Sequence, residues 1–211
     1  MPRTTRNPSP ERLFEIASVQ AGYFTAAQAR SAGYTRQNLA YHVAAGRFER
    51  VARGLYRLRQ YPSFPYEDVA AAWLKAGPHR AVVSHETALV LHDLSAVRPD
   101  KIDLTVERPH RPAGNRPRLP GVRIHTTVQP LDAQDVVRIA GVRVTSAVRT
   151  ILDAADAGTD LDQIVAAVRE GIKRGLFTPS EMEEAARTRR ARVRRLISVA
   201  LQEAGYGSAV H

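Results

Sequence analysis

Apolar positions in the first sixty residues recur at helical spacing and stop at glycines. From Pro10, "ERLFEIASVQAGY" places Leu13, Ile16, Ala17 and Gln20 about one turn apart, and Gly22 ends the run. Thr25 can cap a second helix, "AAQARSAG", which stops at Gly33. Thr35 can cap a third, "RQNLAYHVAAG", which stops at Gly46. The spacing then changes to that of strands. "RFERVARGLYRL" reads as a hairpin with apolar contacts from Phe48, Val51, Leu55 and Leu58, and Gly54 permits its tight turn. Three short helices and a two-stranded wing predict a winged helix-turn-helix over residues 10–60. Residues 1–9, rich in Pro, Arg, Ser and Thr, read as unordered.

"QYPSFPY" (60–66) reads as a linker. After it come a helix carrying Val69, Ala72 and Trp73, and another opening at Ser84, "SHETALVLHDL". Three segments alternate as strands: "KIDLTVE" (101–107), "GVRIHTT" (121–127) and "VVRIAGVRVTS" (136–146), the last with an Ala-Gly turn. The four prolines of "RPHRPAGNRPRLPG" make the connection between the first two a loop. Ser146 to Ala157 and Leu161 to Phe177 are predicted helical, and Thr178-Pro179-Ser180-Glu181 opens a final helix. The chain is therefore expected to be α+β. Residues 61–211 form its second domain, with a small, mostly antiparallel sheet, flanking helices and a basic last helix.

Charge changes this picture by its location. The net charge is +10. Residues 1–60 carry 10 basic and 3 acidic side chains, residues 61–177 carry 15 and 14, and residues 178–211 carry 6 and 4. A basic front beside a nearly neutral body points to a polyanionic partner. There is no cysteine, which excludes disulfides, thiol nucleophiles and thiolate-bound zinc. No 18-residue apolar run and no apolar leader segment occur, so a cytoplasmic protein without membrane contact is expected.

On a helical wheel Leu39 and Val43 of the third helix point inward. Gln37, Asn38 and Tyr41 look toward the other side or flank it, and Arg36 lies nearer the Leu39 side. Gln and Asn pair with adenine edges, and Tyr reaches a phosphate or a thymine methyl, so these four are candidates for base readout. Thr35 at the helix start and the hairpin arginines Arg47, Arg50, Arg53 and Arg57 are candidates for the DNA backbone. Near the other end, Arg187, Arg189, Arg190, Arg192, Arg194 and Arg195 crowd nine residues of the final helix, with Glu181, Glu183 and Glu184 before them. They are either a solvated face or a candidate second basic surface.

The ordered set Gly22, Phe24, Thr25, Gly33, Leu39, Val43, Gly46, Arg53, Gly54 and Tyr56 resembles the N-terminal domain of AbiEi-type antitoxins. "VVSHETALVLHDLS", "PDKIDLTVER" and "GVRVTSAVRTILDAA" extend the resemblance to about residue 160. The resemblance implies an antitoxin that binds inverted repeats in its own promoter through the winged helix and represses the operon. It also implies that the second domain counteracts a nucleotidyltransferase-like toxin encoded beside it. A single winged helix reads a short half-site, so a monomer or weak dimer in solution and paired copies on double-stranded DNA are expected.

No catalytic residue, metal site or cofactor is expected. His85 and Glu86 follow Ser84 and read as a capped helix start with an acid in its first turn, and the seven histidines show no ligand spacing. A restriction-like nuclease would need carboxylates and a Glu-x-Lys-type lysine. Asp103 and Glu107 are instead followed by Arg108-Pro109, and no such lysine lies on a later strand. The alternative to an antitoxin is a stand-alone winged-helix regulator whose second domain senses a ligand.

Overall fold

The computed structural model describes residues 7–63, 65–107, 120–127 and 131–206. The stretch read as unordered lies outside them as far as Arg6. Ser9 belongs to the fold, because its hydroxyl accepts from Arg12 N and caps the first helix. Most of the proline-rich connection also lies outside the described residues.

The chain divides into two compact units. One runs to His79 and includes Ala140–Val142; the other holds Arg80–Ile139 and Arg143 onward. In the first unit, α1 (Pro10–Ser18), α2 (Ala26–Ser31) and α3 (Arg36–Ala44) pack with β1 (Tyr23–Thr25), β2 (Phe48–Ala52) and β3 (Leu55–Leu58). Thr25 and Thr35 cap α2 and α3 as their spacing predicts, each in a capping box, with Gln28 and Asn38 respectively. The hairpin turns at Gly54, whose φ of 77° suits glycine. Its carbonyl accepts from Ala26 N, which ties the wing to the start of α2. The sheet has three strands in the order β1-β3-β2, all antiparallel. β1 was not expected: three residues between two helices are too few to show an alternating pattern. Leu13, Phe24, Leu39 and Phe48 fill the core, with Val43, Tyr56 and Leu58 against it.

α4 (Glu67–Ala76) clusters with this unit rather than with the second. Arg57 explains why. Its guanidinium donates to Glu67 Oε1 at 2.7 Å and to the carbonyls of Tyr61 and Pro62 at 3.1 Å. The Tyr23 hydroxyl donates to the other Glu67 oxygen, and burial beside that carboxylate pushes its pKa up to about 12. The segment read as a linker is thus partly fastened down. Tyr61 donates to Ser18 O and lies over Gly22, where a Cβ would meet its ring at 2.5 Å.

The second unit is α+β, as expected, but its sheet is mixed. It has five strands in the order β6-β5-β4-β8-β7: β4 (Ala81–Val83), β5 (Ile102–Glu107), β6 (Val122–Thr127), β7 (Val136–Ile139) and β8 (Val142–Thr145). β4 pairs antiparallel with β5, but β5–β6 and β4–β8 are parallel, which corrects the mostly antiparallel reading. The physical reason is connection length. The proline-rich segment is long enough to return the chain to the same end of the sheet, and a hairpin is not required. β4 was also missed, since "AVV" is too short to alternate.

Helices α5 (His85–Leu91), α6 (Ala147–Ala157), α7 (Leu161–Lys173), α8 (Pro179–Arg187) and α9 (Ala191–Glu203) form the main core of this unit. The single final helix expected from the sequence is two helices, interrupted at Thr188–Arg190. α8 opens as expected on a Thr178/Glu181 capping box with Pro179 first. Met182, Ala186, Val193, Ile197 and Leu201 are all buried, so this end of the chain is core and not an appendage. Among the described residues no helix is long and apolar enough to cross a membrane.

Candidate nucleic-acid interface

The first turn of α3 is built by its cap. Thr35 Oγ1 accepts from Asn38 N at 3.1 Å, and Asn38 Oδ1 accepts from Thr35 N at 3.0 Å and from the Thr35 hydroxyl at 2.6 Å. This cap leaves Asn38 its amide N–H groups but commits its carbonyl oxygen, so the bidentate adenine contact expected of it is not open while the cap holds. The Thr35 hydroxyl is spent in the same way, and only the helix terminus remains for phosphate. Leu39 is buried at 3% exposure, whereas Tyr41 stands 61% exposed. Arg36 and Gln37 are exposed as well, and Gln37 and Tyr41 lie four residues apart on one face.

His42 was not singled out in the sequence. It stacks on Phe48 at 4.8 Å between ring centroids and meets Tyr34 and Tyr41 edge-on. Burial, then the nearby Arg47, lower its pKa, so it is neutral aromatic packing that fixes α3 on the first strand of the wing.

The wing arginines divide. Arg47, Arg50 and Arg53 are exposed. Arg57 is only 8% exposed, and the pair with Glu67 occupies it, so it is withdrawn from the backbone-contact set. The register explains this: Arg57 lies opposite Glu49 on β2 and Tyr23 on β1, in the middle strand of the sheet. Alternation could not show it without the third strand. Arg59, not singled out, is exposed, and its N–H donates to Arg47 O, which sets these two arginines side by side at the open end of the hairpin. Val51, expected to pack, is 40% exposed where the β2–β3 register shifts between Arg50 and Ala52.

The six arginines near the other end do not share one surface. Arg189 points inward and forms an ion pair with Asp153 at 2.9 Å. Arg187 pairs with Glu184 in the open, which contributes little. Arg190, Arg192, Arg194 and Arg195 are exposed. Ser84 does not cap α5: its hydroxyl is engaged by His85 and Thr105 inside the unit. Glu86 accepts from Thr159. Asp103, raised as a nuclease carboxylate, is fully buried and holds Arg123, His125 and Thr87.

Residues 11–59 match the family described as "Transcriptional regulator, AbiEi antitoxin". No curated protein matches the chain. The crystal structure of the RV2827C protein from Mycobacterium tuberculosis is similar in fold, with a TM-score of 0.56 over 95% of this chain and 79% of that one, at 14% identity. The match likens the winged helix, residues 11–59, to the AbiEi antitoxin transcriptional regulators.

Proposed function

We propose that the protein is an autorepressing antitoxin. It binds inverted repeats in its own promoter through the winged helix, and it counteracts a nucleotidyltransferase-like toxin through its second unit. The observation that carries the reading is the exposed face of α3, Arg36, Gln37 and Tyr41, on a helix followed directly by a wing with exposed Arg47, Arg50 and Arg53. The helix presents side chains suited to base edges, and the arginines present charge to phosphates. Asn38 adds its amide donors. The protein acts in the cytoplasm as a monomer or weak dimer, and two copies meet on the repeat.

The test has two arms. Footprinting on the DNA upstream of its gene should protect two symmetric half-sites, and Gln37→Ala with Tyr41→Ala should erase the pattern. Co-expression with the neighbouring nucleotidyltransferase-like protein should restore growth. Protection without symmetry, or growth arrest that the chain does not relieve, would sink the corresponding half of the proposal.

A further inference from the structure

The second unit holds a polar pocket of about 370 Å³ that nothing above uses. Its walls come from α5, the end of β6, α6 and the α8–α9 junction, with His85, Thr126, Thr127, Asp156, Arg189 and Arg190 around it. The volume is in the range of small-molecule sites, and a bare inorganic ion would leave most of it empty.

The floor is already neutralised. Asp153 accepts from Arg149 Nε with both oxygens, at 3.0 and 2.8 Å, and forms an ion pair with Arg189 at 2.9 Å. Arg149 also reaches Asp135 at 3.2 Å. What is left toward the pocket is mostly donors. Arg190 makes no ion pair among the described residues, and it stands at the start of α9, where no side chain caps the first amides. Arg190 is thus the unspent guanidinium at the opening, beside Arg189 on Asp153, with Asp156 on the rim as the remaining carboxylate.

His85 adds a neutral donor. Thr105 donates to Ser84 Oγ at 2.8 Å, and Ser84 Oγ lies 2.8 Å from His85 Nδ1. With Ser84 donating to Nδ1, the neutral ring carries its hydrogen on Nε2, the nitrogen left for the pocket. The ring is held rigidly: it stacks on His125 at 3.5 Å between centroids, and His125 is anchored on Asp103 at 2.8 Å. The side chain is buried, yet its backbone adopts a left-handed φ of 53° at the first position of α5. Backbone strain of this kind persists where the surroundings over-determine a conformation, as they do at ligand sites.

We infer that this pocket binds a small phosphate monoester of about the size of a 5′-mononucleotide. Arg189, Arg190 and the His85 Nε2–H would hold the phosphoryl oxygens. Asp156 would meet a hydroxyl or amine of the organic part. The site lies wholly in the second unit, and the inference does not rest on DNA binding.

Calorimetric titration of the full chain tests it with three probes: adenosine 5′-monophosphate, adenosine and inorganic phosphate. The monophosphate should bind, adenosine should not, and phosphate should compete. Arg190→Ala, at an exposed position that folding does not need, should weaken binding by about tenfold or more, the loss of one charge-assisted contact. Arg195→Ala, on the same helix but outside the pocket, should leave it unchanged. His85→Phe should also weaken it, and Arg190→Ala keeps the test open if that variant misfolds. Equal affinity for adenosine and its monophosphate would overturn the assignment. So would equal losses in Arg190→Ala and Arg195→Ala, or no heat from either phosphate compound.

Discussion

The two units use arginine in opposite ways. In the first, Arg36, Arg47, Arg50, Arg53 and Arg59 stand in solvent around α3 and the wing, and among the described residues Arg57 alone is drawn inside. In the second, Arg123, Arg149 and Arg189 are tied to Asp103, Asp153 and Asp135. The first unit keeps its cations available to an outside anion. The second builds these three into its own structure and leaves Arg190, Arg192, Arg194 and Arg195 in solvent. Arginine density alone does not set these uses, because residues 187–195 hold six in nine, more than the five in thirteen of residues 47–59. What decides is whether a neighbouring element brings a carboxylate.

The sharpest break in the comparison is within the wing itself. Arg57→Ala is expected to lower stability by about 2–3 kcal/mol, somewhat less than for a fully buried pair because Glu67 keeps 29% exposure. Arg53→Ala should change stability by less than about 0.5 kcal/mol while weakening DNA binding. Urea unfolding monitored by circular dichroism gives the first number and DNA titration the second. The same contrast, at about 2 kcal/mol, is expected between Arg189→Ala and Arg194→Ala. If Arg57→Ala left stability intact and weakened DNA binding instead, the division would be misdrawn.

Acid should strike the second unit harder. Burial, then His125, hold the His85 pKa at about 4, and Asp153 and Asp103 oppose this only partly. Burial lowers that of His92 as well. These groups are neutral when folded and take up protons near pH 6.5 when unfolded. Their contribution is therefore intact above pH 6.5 and is lost as pH falls toward 4, by roughly 3 kcal/mol for His85. Urea midpoints at pH 7.5 and 5 should differ, and His85→Gln should flatten the difference. An unchanged midpoint would contradict the buried neutral ring.

Much of the first unit was legible because its signals are local. A threonine three residues before Gln28 or Asn38, a glycine at each stop and alternation in the hairpin all act within a few residues. The same local signal concealed the double use of Asn38, which caps the helix that was to present it. Arg57 was misplaced because its partner is ten residues on, across a segment read as free linker. In the second unit Arg149 and Asp153 lie four apart on one helix, but Arg123 and Asp103 are 20 residues apart and Arg189 and Asp153 are 36. No spacing rule reaches that far. The break between α8 and α9 was hidden by continuous helix-forming residues, and burial of Met182 and Val193 on separate helices imposes it.

A smaller effect refines the interface. Gln37→Ala should cost about 1–3 kcal/mol on the operator and nearly nothing on random DNA. A competition titration between the two sequences reads this difference. Equal losses would place Gln37 on the backbone only.

The salt dependence of DNA binding tests the central claim most directly, that the outward arginines of the first unit meet phosphates. Fluorescence anisotropy on the upstream repeat, from low to physiological salt, should give log affinity falling linearly with log salt. A slope of about −4 is expected if four to five arginines each displace a counterion. Arg53→Ala should reduce the slope by about 1, and Arg57→Ala should leave it unchanged in the folded protein. A flat salt profile, or a slope that Arg53→Ala does not alter, would contradict the account.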